Sequence, residues 1–455
     1  MHITLEERFV ELSIQFSRLQ ELYKVSQRLY TDLKEENNNL KQKNIELEDK
    51  LGINSSNSGL PTSKEIYQKE KKNRKKSQRQ VGGQPGHKYN GYKMKKADVV
   101  IEVEPEEKRC TCGEHLELMS EYKVHQSIEL PEIKPIVTEY HLRQKQCIRC
   151  LKKYRGNAKS KRLLGNHAMN IISVLTGYFN NSKREVKDIM SQIFNLDVSL
   201  GLISNTEERV AEILESKYEE IKEQAGKSEY LHMDETGHRK KGKRQWCWLA
   251  ANKEVSVFKL DSSRGTKALE QFMPSYKGNV ISDRYAVYNI YDEEKRQICL
   301  AHLRRDYKRF AHSKDSHLSI LGNNLLIALD RIFIVNKSYK EGIVNREYFL
   351  RQVRRSKKDM LYLLRKIKLV VHAKQAQRVA NNILRSFEMM WLFTKNENIE
   401  LTNNFAERQI KHFVKYRKNS FFTWSDRGDR FLERVKTICS TAKLQKLNPF
   451  LALTT

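Results

Sequence analysis

Between Leu5 and Leu51 the apolar positions advance in alternating steps of four and three: Leu5, Phe9, Leu12, Phe16, Leu19, Tyr23, then Tyr30, Leu33, Leu40, Leu47 and Leu51. A heptad seam sustained this long predicts a coiled coil over residues 1–52. Asn37 and Asn44 recur at one position of that seam, where a buried amide disfavours other registers and larger oligomers. The expected assembly is a dimer. A long helix folded back on its own chain satisfies the same spacing.

The periodicity stops at LGINSSNSGLPTSKE, whose Ser, Asn, Gly and Pro break a helix without offering a core. Residues 53–100 read as a basic, Ser/Gly-rich linker. Apolar spacing of i, i+3, i+4 returns in residues 159–227, through NHAMNIISVLTGYFNN, REVKDIMSQIFNL and the segment from Val198 to Ile221. The short break from Asn195 to Gly201 fits a helix-turn-helix, with Ser199 or Ser204 as N-cap or phosphate group; plain three-helix packing fits equally.

From Tyr230 the period shortens to that of strands. Leu231 to Thr236 and Gln245 to Ala251 form a hairpin, VSVFKL follows, then a helix from Thr266 to Phe272, then GNVISDRYAVY ending a strand at Asp283. Strand, strand, strand, helix, strand is the order of an RNase-H-like sheet, assigned to residues 228–430. CLAHLRRDYKRFA supplies a helix with His302 and Asp306 one turn apart, and residues 315–395 are helical throughout, an insertion into the core. In LTNNFAERQIKHFVKYRKNSFF, Thr402 or Asn403 can cap a helix whose Glu407, Ile410 and Val414 share a face, with Lys411 offering Glu407 an ordinary ion pair. Residues 431–455 are expected to form a helical tail. The fold class is therefore multidomain α+β.

Charge changes this picture most. The 455 residues carry 85 Lys plus Arg against 56 Asp plus Glu, a formal charge of +29. That balance favours an extended polyanion, with double-stranded DNA the first choice, over a small acidic metabolite. Residues 64–96 hold twelve Lys or Arg and two acids. With the chain so basic, Lys71, Lys72, Arg74, Lys75 and Lys76 read as phosphate contacts and not merely a solvated run. Arg304, Arg305, Lys411, Lys415, Arg417 and Lys418 extend the candidate surface, and YRKNSFF adds aromatics suited to bases, although Phe421 and Phe422 also suit a core. The most apolar long run, Leu318 to Val335, is interrupted by Asn323, Asn324, Asp330 and Arg331, and MHITLEERFVEL lacks the basic start and apolar core of a signal peptide.

Seven cysteines, four of them between 110 and 150, suit a reducing cytoplasm. Cys110 and Cys112, then Cys147 and Cys150, have the separation that brings two knuckles around one structural Zn²⁺ in a zinc-ribbon-like module over residues 101–158. The first knuckle, CTC, is one residue short, so His115 or His125 is a possible substitute ligand. Reduced core cysteines are the alternative. Asp234 lies in an apolar strand, where a carboxylate requires a partner such as a cation; Glu235 points to the strand's other face. Local capping or pairing of Asp234 is the simpler reading of the hairpin by itself.

NSSNSG, GGQPGH, the cysteine cluster, HMDETG with WCWLA, ISDRYAVY, CLAHLRRDY and NNFAERQIKHFVKYRKNSFF occur in that order. Together they resemble bacterial insertion-sequence transposases of the IS-sixty-six family, from about residue 50 nearly to the end. The resemblance implies a DDE catalytic triad of Asp234, Asp283 and Glu407, and two Mg²⁺ (or Mn²⁺) ions at that triad. It also implies phosphodiester hydrolysis followed by strand transfer, and action as a homodimer or higher assembly on DNA with possible accessory proteins, on the bacterial nucleoid. His302 is an auxiliary candidate or a structural histidine. The chain ends soon after NPFLALTT, where the family commonly continues, which carries an expectation of C-terminal trimming.

Overall fold

The computed structural model describes residues 5–51, 93–120, 123–157, 162–370 and 373–454. Most of the basic arm, with Lys71, Lys72, Arg74, Lys75 and Lys76, lies outside them. Helix α1, Leu5–Leu51, is a single uninterrupted helix. Its seam is open to solvent, with Phe16, Leu19, Tyr23, Tyr30, Leu33, Leu40 and Leu47 all exposed. Near its C-terminal end α1 meets the body of the molecule, where the Asp49 carboxylate accepts from Ser313 Oγ at 2.6 Å and Lys314 N at 3.0 Å.

The cysteine-rich segment is largely extended and exposed, with one short ribbon, β1 (Gln144–Gln146) against β2 (Lys153–Arg155). A helical module follows: α2 (Asn166–Ser173) running into a π-turn at Val174–Tyr178, α3 (Lys183–Gln192), α4 (Leu200–Ile213) and α5 (Glu215–Gly226). Ser199 caps α4 by accepting from Leu202 N at 3.0 Å, whereas Ser204 lies inside α4 and takes the Lys183 ammonium at 2.8 Å.

The sheet is built from β3 (Tyr230–Lys240), β4 (Lys243–Ala251), β5 (Ser256–Asp261), β6 (Asn279–Ser282) and β7 (Arg296–Ile298), in the order β5-β4-β3-β6-β7. The first three pair antiparallel and the last two join β3 in parallel, with α6 (Thr266–Phe272) crossing between β5 and β6. The hairpin is longer than hydrophobic alternation suggested. Lys241 and Gly242 both adopt positive φ, 48° and 75°, the two-residue turn whose twist suits tightly paired strands. Pairing thus continues to Lys240↔Lys243 through polar residues.

Helices α8 (Ser316–Lys340), α9 (Arg346–Lys368) and α10 (Lys374–Arg385) form the helical insertion, and with α7 (Leu300–Ala311) they share an apolar cluster that takes in Ile281 and Ile298 of the sheet. By length and composition α8 could cross a membrane. Its Leu318, Leu321, Leu325, Leu329, Ile332 and Val335 are instead buried, in the same cluster as residues of α7 and α9.

Two helices close the sheet. Phe405, Ile410 and Phe413 of α11 (Asn404–Asn419) pack with Cys247, Leu249 and Phe258 on one face. Helix α12 (Asp426–Leu444) straddles the expected 430/431 boundary and is no peripheral tail, for Phe431 to Ala442 are buried without a break. Its Glu433, Thr437 and Thr441 side chains accept from Leu260 N (2.6 Å), Phe258 N (3.0 Å) and Ser256 N (3.1 Å) of the edge strand β5. Four helical residues rise about 6 Å and two strand residues about 6.6 Å, so the i, i+4, i+8 spacing meets alternate strand amides.

Candidate active site

Parallel pairing of β3 with β6 reaches His232↔Ile281. Two residues further along each chain come Asp234 and Asp283, so the sheet sets both acids at the same end of adjacent strands. Arg296, buried on β7, fixes the turn after β6 by donating to the carbonyls of Asp283 (3.0 Å) and Tyr285 (3.4 Å). The Asp283 carboxylate accepts from Tyr285 N at 2.8 Å.

The third acid arrives on α11. Asn403 occupies the N-cap position but makes no capping bond with its side chain. Its amide instead crosses to β3, donating to Met233 O at 2.7 Å and meeting His232 Nδ1 at 3.1 Å, while its backbone N–H meets Cys299 Sγ at 3.1 Å. Leu300 N donates to Leu401 O at 2.9 Å. These bonds anchor the start of α11 between β3 and α7, and Glu407 follows one turn later.

Glu407 lies beside His302 of α7, with Oε1 3.9 Å from Nε2, and Lys411 is exposed and forms no ion pair with it among the described residues. Burial, then the charge of Arg305, pushes the His302 pKa down, so its ring is neutral near pH 7. Its Nδ1 is buried without a hydrogen bond. Asp306, one turn on, is bound by Arg284.

The electrostatics join the acids. Burial first, then Glu235, Asp283 and Glu407, push the Asp234 carboxyl well above the usual range; the 2.9 Å bond from Glu235 N offsets this only partly. Glu235 is on the opposite face, opposite Trp248, and is neutralised there. Arg264 donates to its Oε1 through Nε (3.1 Å) and Nη2 (2.5 Å), and Tyr288 donates to Oε2 at 2.5 Å. Asp234, Asp283 and Glu407 are hard oxygen donors, of the kind that Mg²⁺ or Mn²⁺ takes, and the mutual repulsion felt at Asp234 is what a cation would relieve. Among the described residues, no three His, Cys, Asp or Glu side chains are close enough together to hold a metal ion.

That statement covers the cysteines too. Cys110 and Cys112 sit in one turn, closed by Gly113 N to Cys110 O at 2.8 Å, and Cys147 and Cys150 in another, closed by Leu151 N to Cys147 O at 2.9 Å. Hydrogen bonding from Cys112, backbone first, lowers the Cys110 thiol pKa; the backbone of Cys150 does the same for Cys147. Each knuckle thus favours thiolate. The four thiols do not form one cluster, and all remain free.

Of the remaining candidates, Lys411, Lys415 and Lys418 are exposed on α11. Arg417 is turned inward, donating to Thr236 Oγ1 (3.0 Å) and Gly237 O (2.5 Å), and so clamps α11 to β3. Arg304 pairs with Asp330 and lies over the Phe333 ring, joining α7 to α8, while Arg305 is half-buried. Phe422 packs on the His238 ring, whereas Phe421 and Trp424 are exposed. Sequence reasoning missed Asn403 as a tether, and it missed Arg264, Tyr288 and Arg296. The doubled asparagine of NNFAER was the available signal for the first.

A family model described as Transposase IS66 family matches residues 183–430, from α3 into the first turn of α12, and includes all three acids. A second, described as Family of unknown function (DUF6444), matches residues 6–93. No curated protein matches the chain.

Proposed function

Because the chain belongs to the Transposase IS66 family, we propose that it is a DDE transposase that binds the ends of its insertion sequence, hydrolyses a phosphodiester bond there and transfers the freed 3′ end into target DNA. The observation that supports this reading is geometric: Asp234 and Asp283 each lie two residues beyond the His232↔Ile281 pair of adjacent parallel strands, and the 2.7 Å bond from Asn403 to Met233 O ties the start of the Glu407 helix to the same strand. Mg²⁺ or Mn²⁺, two per site and held by these carboxylates, would neutralise them, activate the attacking oxygen and stabilise the leaving one. The protein's own part is positional. Arg296 holds the chain after β6, Asn403 holds the start of α11, and the neutral His302 ring beside Glu407 is suited to orient a water or a phosphate oxygen through Nε2.

Direct attack by water and then by a 3′ hydroxyl needs no covalent protein intermediate, which agrees with the absence of a nucleophile motif in the sequence. We read α1 as the dimerising coiled coil, the four-cysteine segment as a structural Zn²⁺ module, and the basic arm with Lys411, Lys415 and Lys418 as DNA-binding surface. Action on chromosomal DNA in a bacterial cytoplasm follows from the same reading.

The test is incubation of the purified protein with labelled element ends and Mg²⁺ or Mn²⁺. Cleavage and joining are expected, and Asp234→Asn, Asp283→Asn and Glu407→Gln should abolish both while leaving DNA binding intact. Binding without metal-dependent cleavage by the parent protein would instead make it a non-catalytic DNA-binding descendant. Cleavage without joining would make it a metal nuclease.

A further inference from the structure

Glu235 is the buried acid for which the proposed reaction has no use, and its surroundings are built with care. Its side chain is 2 % exposed, yet its partner Arg264 remains 35 % exposed. Both bonds from Arg264 go to one carboxylate oxygen and use Nε and Nη2. The guanidinium carbon lies over two rings, 3.8 Å from the Tyr285 centroid and 4.6 Å from that of Trp246. Arg244 lies over Trp246 as well, at 4.8 Å. The result is a ladder, Arg244–Trp246–Arg264–Tyr285, along the β3–β4 hairpin.

The ladder is braced by further bonds and reaches Asp283. Tyr285 Oη donates to Arg264 O at 3.3 Å, and Trp248 Nε1 donates to Ser263 O at 3.2 Å, fixing the loop before α6. Tyr285 is the residue whose N–H meets Asp283 Oδ1. Burial works against the charge of Arg264, and the bonds and charge of Glu235, with Tyr285 and Asp283, outweigh it.

Neutralising Glu235 accounts for Arg264 but not for the rest. Arg244 is exposed and forms no ion pair or hydrogen bond with any described residue, and Arg264 Nη1 has no acceptor. Two guanidinium groups held over rings lose little freedom on meeting an anion, and their N–H edges match phosphate oxygens. A strand brought to three carboxylates also needs positive charge nearby, since its phosphates are repelled by the same acids that act on it.

We propose that Arg244 and Arg264, splinted by Trp246 and Tyr285, form a seat for a backbone phosphate of the DNA strand that is cut at Asp234, Asp283 and Glu407. Glu235 is a positioning residue that aims Arg264. The proposal rests on the reading of the three acids as a DNA-cleaving site.

The test uses the full-length protein and a fluorescein-labelled duplex oligonucleotide of random sequence, titrated over a range of salt. Each phosphate contact contributes about 0.9 to the slope of log affinity against log salt. Arg244→Ala, exposed and outside every ion pair, should reduce that slope by about one contact and leave the thermal midpoint unchanged. Arg264→Lys keeps a charge for Glu235 but loses the fork, and should weaken binding severalfold. A parent that binds no duplex would overturn both this proposal and the transposase reading. A parent that binds and cleaves, with both variants keeping its slope and affinity, would overturn the phosphate seat alone.

Discussion

The side-chain amide of Asn403 donates to the carbonyl of Met233 at 2.7 Å, one residue before Asp234. The helix that carries Glu407 is thereby tied to the strand that carries Asp234, through a residue only 1 % exposed. Asn403→Ala would leave the Met233 carbonyl and His232 Nδ1 without this partner, at a cost of about 1–3 kcal/mol for each unsatisfied group. A shift of Glu407 by about 1 Å should cost on the order of 100-fold in cleavage. The expected variant is destabilised in urea, cleaves poorly and binds DNA with the parent's salt dependence. Parent-like cleavage would remove Asn403 from the site's positioning.

Acid should loosen the far end of the same strand. His238 is buried, accepts or donates one bond to Thr423 Oγ1 at 2.9 Å, and has a pKa pushed down to about 4 by burial and then by Arg417 and Lys240. A pKa depressed in the folded state contributes stability that is present above about 6.5 and lost as pH falls through about 4. The upper bound is on the order of 3 kcal/mol. Urea midpoints should fall across that window, and more shallowly in His238→Gln. Identical slopes for the two proteins would show that His238 takes up its proton without cost.

Lys436 predicts the opposite end of the pH scale. It is fully buried, donating to Tyr178 O (3.4 Å), His412 O (3.3 Å) and Asn180 Oδ1, and burial pushes its pKa down to about 7. The unfolded chain binds the extra proton between about 7 and the ordinary lysine value of about 10.4, so stability rises with pH across that window and is lost as pH falls through about 7. Lys436→Met should flatten the rise, read as urea midpoints from about pH 7 to about pH 9.5. A flat parent curve would show that burial does not lower the Lys436 pKa.

Self-association tests α1. Its seam residues Leu19, Tyr30, Leu33 and Leu40 are 56–69 % exposed on a single chain, an arrangement that a second copy would bury. Light scattering should report a dimer, and Leu33→Pro, breaking the helix at mid-length, should yield monomer. A monomeric parent would leave the seam without its expected partner.

The sequence carried the sheet, the insertion and the order of the three acids, because strand and helix periods are local properties of consecutive residues. It also carried the opposite orientation of Asp234 and Glu235, a consequence of strand alternation alone. Asn403 was legible as a cap residue but not as a tether, since the choice between its own helix and Met233 depends on packing 170 residues apart. The Glu235–Arg264 pair was hidden for the same reason. Helix α12 was expected as a tail from residue 431, yet its Glu433, Arg434 and Lys436 are buried and bonded to distant elements. The two cysteine turns were readable from spacing, whereas convergence of the turns is a property no spacing encodes.

The side chains that α12 lays along β5 have a consequence for how copies of this protein can meet. An open sheet invites a foreign strand to extend it, and that invitation leads equally to partner recruitment and to insoluble aggregates. Glu433, Thr437 and Thr441 occupy the amides a newcomer at β5 would need. Along β5, then, the sheet ends within its own chain, and that margin is closed to a strand from a second copy.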